Sequence, residues 1–134
     1  MHGINILAVL VAAVSAFVLG GIWYSKLMFE KIWLAENGRT GELKEDGSGH
    51  PARVFGVSFV FALIAAYAFA LWLGPEPNLM EGLHYGLLAG LGIAATSFGI
   101  NYQFSGRSTK LWLIDGGYHT VQFVVYGLVL GLIN

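Results

Sequence analysis

Residues 111–134, LWLIDGGYHTVQFVVYGLVLGLIN, are apolar over a length that crosses a bilayer as a helix, since about 20 residues at ~1.5 Å each span the ~30 Å hydrocarbon core. The run nevertheless contains Asp115 and His119. A charged side chain at the centre of such a helix costs roughly 2.5 to 3.5 kcal/mol on insertion scales, so residues of this kind face a bundle interior or a cavity. The other apolar runs of the chain are then expected to wall this one off. The expectation is an all-α membrane protein, a four-transmembrane-helix bundle.

Composition supports that class. Of 134 residues, 56% are hydrophobic and 11% charged, against about 25% charged in a soluble domain. A single domain over 1–134 is expected, with spans at about 4–24, 54–73, 80–104 and 111–133 and a loop at 26–52. The first run lacks a positive leader and exceeds a signal peptide's usual apolar core of about 7 to 15 residues, so it reads as a retained span. A formal net charge of −1 with no basic patch excludes nucleic acid as a partner. The absence of cysteine excludes disulfides, thiolate metal sites and thiol catalysis. There is no nucleophile elbow, Gly-Lys phosphate loop or H-E-x-x-H; no cofactor is expected, and the sequence points away from an enzyme.

In the first span, Ala8, Ala12, Ala16 and Gly20 recur every fourth residue, which lets a neighbouring backbone approach one helix face. Trp23 and Tyr24 follow as an aromatic belt. Beyond Ser25, the face made by Phe29, Ile32 and Trp33 predicts a short interfacial helix ended by Gly38. The Gly-rich, charged text 39–52 predicts a flexible loop in which His50 is solvated. In the third span Gly82, Gly86 and Gly90 keep a spacing of four, continued on the same side by Ala94, Ser97 and Asn101.

All Lys and Arg residues (Lys26, Lys31, Arg39, Lys44, Arg53, Arg107 and Lys110) fall in the first or third connection. The positive-inside rule makes those connections cytoplasmic and both termini extracytoplasmic, in the inner (cytoplasmic) membrane of a cell.

Winding the fourth span at ~100° per residue puts Asp115, Tyr118, His119, Gln122 and Tyr126 on one stripe. Gly116, Thr120, Gly127 and Gly131 take the adjacent face, suited to seating another helix of this chain or of a second copy. By helix rise, Asp115 lies about 5 Å and His119 about 11 Å inside the cytoplasmic boundary. Ser15, Ser58, Ser97 and Asn101 come to a similar depth. The sequence-based site is therefore a polar cluster of Ser15, Ser58, Ser97, Asn101, Asp115, Tyr118, His119 and Gln122, able to serve proton, ion or small-solute passage. The plainer reading keeps Asp115 as a favourable charge at a helix N-terminus and His119 as a hydrogen-bonded core residue.

Glu81 and His84 form the E-x-x-H spacing of di-iron bundles. They sit at the opposite end of the bilayer, with His84 roughly 15 Å from His119 along the axis. Two ligands alone do not make a metal site, so none is expected.

An internal echo pairs Gly21-Ile22-Trp23-Tyr24-Ser25 with Gly99-Ile100-Asn101-Tyr102-Gln103, and Lys31-Ile32-Trp33-Leu34 with Lys110-Leu111-Trp112-Leu113. It would suit a parallel duplication of a two-helix unit.

Trp23-Tyr24-Ser25 with Phe29 and Trp33, then Arg107, Lys110 and the run Leu113-Ile114-Asp115-Gly116-Gly117-Tyr118-His119, resemble the domain-of-unknown-function 1761 family, small bacterial four-span membrane proteins. Lys26 stands where that family has Pro, and Asp115 where it has Asn. The resemblance implies fold and membrane location and supplies no activity. Three functional classes follow from the residues: a self-contained, homo-oligomeric membrane protein with a passage site; an accessory subunit of a larger membrane complex; and, third, a membrane-embedded enzyme using Asp115 with His119 as acid and base. The lipid bilayer is the one partner common to all.

Overall fold

The computed structural model describes residues 4–25, 27–36 and 51–133. The expected end of the interfacial helix at Gly38 and the solvated His50 lie outside the described residues, as does most of the 26–52 loop. The secondary structure of the described residues is all helical: α1 (Ile6–Trp23), α2 (Glu30–Glu36), α3 (Pro51–Leu73), α4 (Leu79–Ala89), a π-helical segment (Gly90–Ala95), α5 (Thr96–Ser105) and α6 (Thr109–Ile133). Among the described residues, four helices are long and apolar enough to cross a membrane: α1, 52–73 of α3, the continuous 79–105 rod and α6.

Local chemistry sets the helix ends. The Asn5 side chain accepts from the Ala8 N–H to start α1, and Asn78 and Glu81 form a reciprocal capping box at the start of α4. Gly106 ends α5 in the left-handed conformation (φ 71°) that glycine adopts without a Cβ clash. Ser108 accepts from the Leu111 N–H in the first turn of α6.

Helix α6 is the hub: it packs against α1, α2, α3, α4, the π segment and α5. The Asn5 amide donates to the Ile133 carbonyl at one end, and the Trp23 indole to the Ile114 carbonyl at the other, so α1 and α6 run antiparallel. The alanine row of α1 lies in the core shared with α3 and α6, with Ala8, Ala12 and Ala16 fully buried. Large apolar side chains such as Leu7, Phe61, Ile64 and Ile100 point outward instead, the pattern of a bundle in lipid, where close packing rather than water exclusion joins the helices.

The glycine row of α4 meets the glycine row of α6 backbone to backbone. A Cβ on Gly82 would land on the Gly127 carbonyl and one on Gly127 on the Gly82 carbonyl, while Gly90 has the Thr120 Cα at 2.6 Å and Gly131 the Leu79 Cα at 2.9 Å from the same hypothetical atom. Gly20 faces the Tyr118 ring, and Gly116 receives Trp112 and Ala95. These packing glycines thus seat helices and side chains of their own chain.

The third span departs from the sequence expectation where its π segment intervenes. A π turn inserts one extra residue into the helical repeat and rotates everything after it. Gly82, Gly86 and Gly90 face inward as expected, but beyond them Ala95 and Tyr102 are buried, not Ala94 and Asn101. Side chains occupy carbonyls of the segment: the Thr96 hydroxyl donates to Gly92 and Ile93, and the Trp112 indole to Ala95.

Candidate functional site

The site is organised by Asp115, buried at 8% exposure in the second turn of α6. Its Oδ1 accepts from the Tyr24 hydroxyl at 2.6 Å and from the Trp33 indole N–H at 3.1 Å. Its Oδ2 accepts from the Tyr102 hydroxyl. The donors come from the end of α1, from α2 and from α5, so one carboxylate joins four helical elements. All three donors are neutral. A carboxylate at this depth must have its lone pairs met by hydrogen bonds, and three aromatic donors carrying polar tips on apolar bodies supply them.

Aromatic packing fixes these donors. Tyr24 packs edge-on against Trp33 at 5.7 Å and Tyr118 at 5.6 Å between centroids, and Trp23 lies against Phe29 at 5.1 Å. The Tyr118 hydroxyl donates to the Ala16 carbonyl at 2.9 Å, tying α6 back to α1. Tyr24 lies just beyond α1; burial, and then its bond to the Asp115 carboxylate, hold its phenol well above the ordinary tyrosine range.

One turn further along α6 begins a second chain of bonds. His119 Nδ1 lies 2.5 Å from the Gln122 side-chain oxygen, the Gln122 amide donates to the Tyr126 hydroxyl at 2.7 Å, and Tyr126 donates to the Ala62 carbonyl of α3 at 3.0 Å. The His119 ring is stacked on Phe98 (4.7 Å, 16°) and meets the edge of Tyr118 at 4.9 Å.

A cavity of about 290 Å³ opens at the α5–α6 junction, lined by Gly99, Tyr102, Gln103, Arg107, Ser108, Thr109 and Trp112. The Arg107 guanidinium lies over the Tyr102 ring, 5.6 Å from its centroid. Tyr102 therefore belongs to both places: it lines the cavity and its hydroxyl reaches Asp115.

A family model described as Protein of unknown function (DUF1761) matches residues 7–131. The chain belongs to that family. No curated protein and no solved structure matches it. This DUF1761 chain is an integral, multi-pass membrane protein by its four apolar helices.

Of the residues singled out in the sequence, the structure puts Asp115 in the first set of bonds and His119 and Gln122 in the second, with the Tyr118 ring in contact with Tyr24 and His119. It does not bring in Ser58, Ser97 or Asn101, which are exposed; Ser58 lines a separate cavity of about 240 Å³ with Arg53 and Phe61 on the outer side of α3. Ser15 is half-buried on α1 and makes no hydrogen bond to Asp115 among the described residues. Glu81 serves as the α4 cap, His84 is exposed against Tyr85, and no group of three metal-ligating side chains occurs among the described residues. Sequence reasoning missed Tyr24, Trp33 and Tyr102 as ligands of the carboxylate. Their signal was present: hydroxyl or indole tips at the same end of the bundle as a buried acid that needs donors.

Proposed function

We propose that this is a self-contained, non-enzymatic protein of the inner membrane whose Asp115 cluster passes a proton on its cytoplasmic side. The observation that carries the reading is the double placement of Tyr102. A proton at the mouth of the cavity has one hydroxyl to cross before it meets a buried carboxylate, and a hydroxyl both donates and accepts. The orientation is supported by charge, since Lys31, Arg53, Arg107 and Lys110 all lie at the α2 end of the bundle. Acids inside spans are costly and mark proton or ion paths in membrane proteins. Because the glycine rows are used within the chain, the self-association expected through them has to use another face.

The test is proton flux into liposomes holding the purified protein and a trapped pH dye. The wild type is expected to dissipate an imposed gradient, Tyr102→Phe to slow it and Asp115→Asn to abolish it. Equal rates in all three would overturn the reading.

A second reading, an accessory subunit of a larger membrane complex, is favoured by the way Asp115 ties α2 and three spans together, which is what a rigid scaffold requires. Gentle extraction from the native membrane separates the two: foreign subunits in fixed ratio support the scaffold, and the chain alone or with copies of itself supports the passage site.

A further inference from the structure

The bonds deep to Asp115 determine which nitrogen of His119 carries hydrogen. The Tyr126 hydroxyl has a single proton, and the Ala62 carbonyl can only accept, so that proton points to Ala62. The Tyr126 oxygen must then accept from Gln122, which turns the amide nitrogen toward Tyr126 and the amide oxygen toward His119. An amide oxygen only accepts. His119 Nδ1 therefore bears the N–H, and in the neutral ring the lone pair sits on Nε2. Free neutral histidine prefers the opposite tautomer, with hydrogen on Nε2, so the fold works against the ring's own preference here. The stack on Phe98 and the Tyr118 edge hold the ring plane. Nε2 makes no hydrogen bond among the described residues, and since no buried side-chain nitrogen or oxygen is left unpartnered, it reaches the surface of the molecule.

We propose that Gln122 and Tyr126 are positioning residues that lock His119 as its Nδ1–H tautomer and present Nε2 as a proton acceptor one helical turn beyond Asp115. Its use in passage rests on the proton reading above; the lock itself does not. The titratable groups facing the ring are Asp115 and Tyr118 on α6, with Tyr102 beside Phe98 on α5 and Tyr24 beside Tyr118 at the end of α1.

Nitrogen-15 NMR of the full chain in bilayers, with ¹⁵N-labelled histidine and His119 assigned by its loss in His119→Gln, reads both ring nitrogens directly. The wild type is expected to show a protonated, pyrrole-type Nδ1 and an unprotonated, pyridine-type Nε2. Tyr126→Phe, which removes one oxygen and frees the amide to turn over, is expected to shift the ring toward the Nε2–H form, and Gln122→Leu to do so further. An Nε2–H ring in the wild type, or an unchanged tautomer in both variants, would overturn the lock. A locked ring in a protein that passes no protons would overturn only the proposed function, whereas wild-type passage undiminished in both variants would remove His119 from the path.

Discussion

Tyr24 and Tyr102 donate to opposite oxygens of one carboxylate, Asp115, from the ends of two different spans. The acid is thereby held between them, and Trp33 adds a bond that reaches out to the short helix α2. Helix α2 has seven residues and none of them is buried, so neither length nor packing would keep it in place alone.

Trp33→Phe should therefore loosen α2 selectively. The lost bond is to a charged acceptor, of the kind that contributes about 1.5–3 kcal/mol, and amide exchange across Glu30–Glu36 should rise roughly tenfold or more for each 1.4 kcal/mol lost. Exchange in the four spans should not change. Unaltered protection of α2 would show that something other than Asp115 holds it.

The α4–α6 contact predicts a sharp difference between glycines. Gly82→Ala and Gly127→Ala each drive a methyl group into the opposing backbone, and overpacking of this kind costs about 1–3 kcal/mol or more. Gly56→Ala meets nothing within 4 Å and should be neutral or stabilising by up to about 1 kcal/mol through helix propensity. Thermal midpoints in one detergent measure all three.

Alkaline pH tests the environment of Tyr24. Its phenol is raised in the folded state by burial and by Asp115, so the stability it contributes is fully present below the ordinary tyrosine value of about 10 and is lost as pH rises toward the folded value. In the folded protein Tyr24 should stay protonated where exposed tyrosines ionise. Ultraviolet titration of wild type and Tyr24→Phe should then show the same absorbance rise just above pH 10; a smaller rise in the variant would place Tyr24 in contact with water.

The spans, the presence of a short helix after Ser25 and the inward stripe of α6 were legible because each is a matter of local composition and helical period. The glycine row of α4 was legible up to Gly90 for the same reason. Beyond it the period itself changes: the π segment advances the inward face by one residue, so Tyr102 takes the place that a uniform helix gives to Asn101. No pattern in GLGIAA announces that turn, which is stabilised by contacts with Thr120 and Trp112 from another helix. The donors to Asp115 were hidden for a related reason. Tyr24 and Tyr102 are the matched tyrosines of the internal echo, yet the echo says nothing of their meeting at one acid, because that depends on the pairing of α1 and α5 with α6.

The convergence of donors on Asp115 is tested most directly by comparing thermal unfolding of Asp115→Asn and Asp115→Leu. An asparagine oxygen can still accept from Tyr24 and Trp33 while its amide donates to the Tyr102 oxygen, so Asp115→Asn should unfold close to the wild type. Leucine is similar in bulk but orphans three donors, each costing about 1–3 kcal/mol, and Asp115→Leu should unfold well below both. A leucine variant as stable as the wild type would contradict the placement of Asp115 as the acceptor that joins these helices.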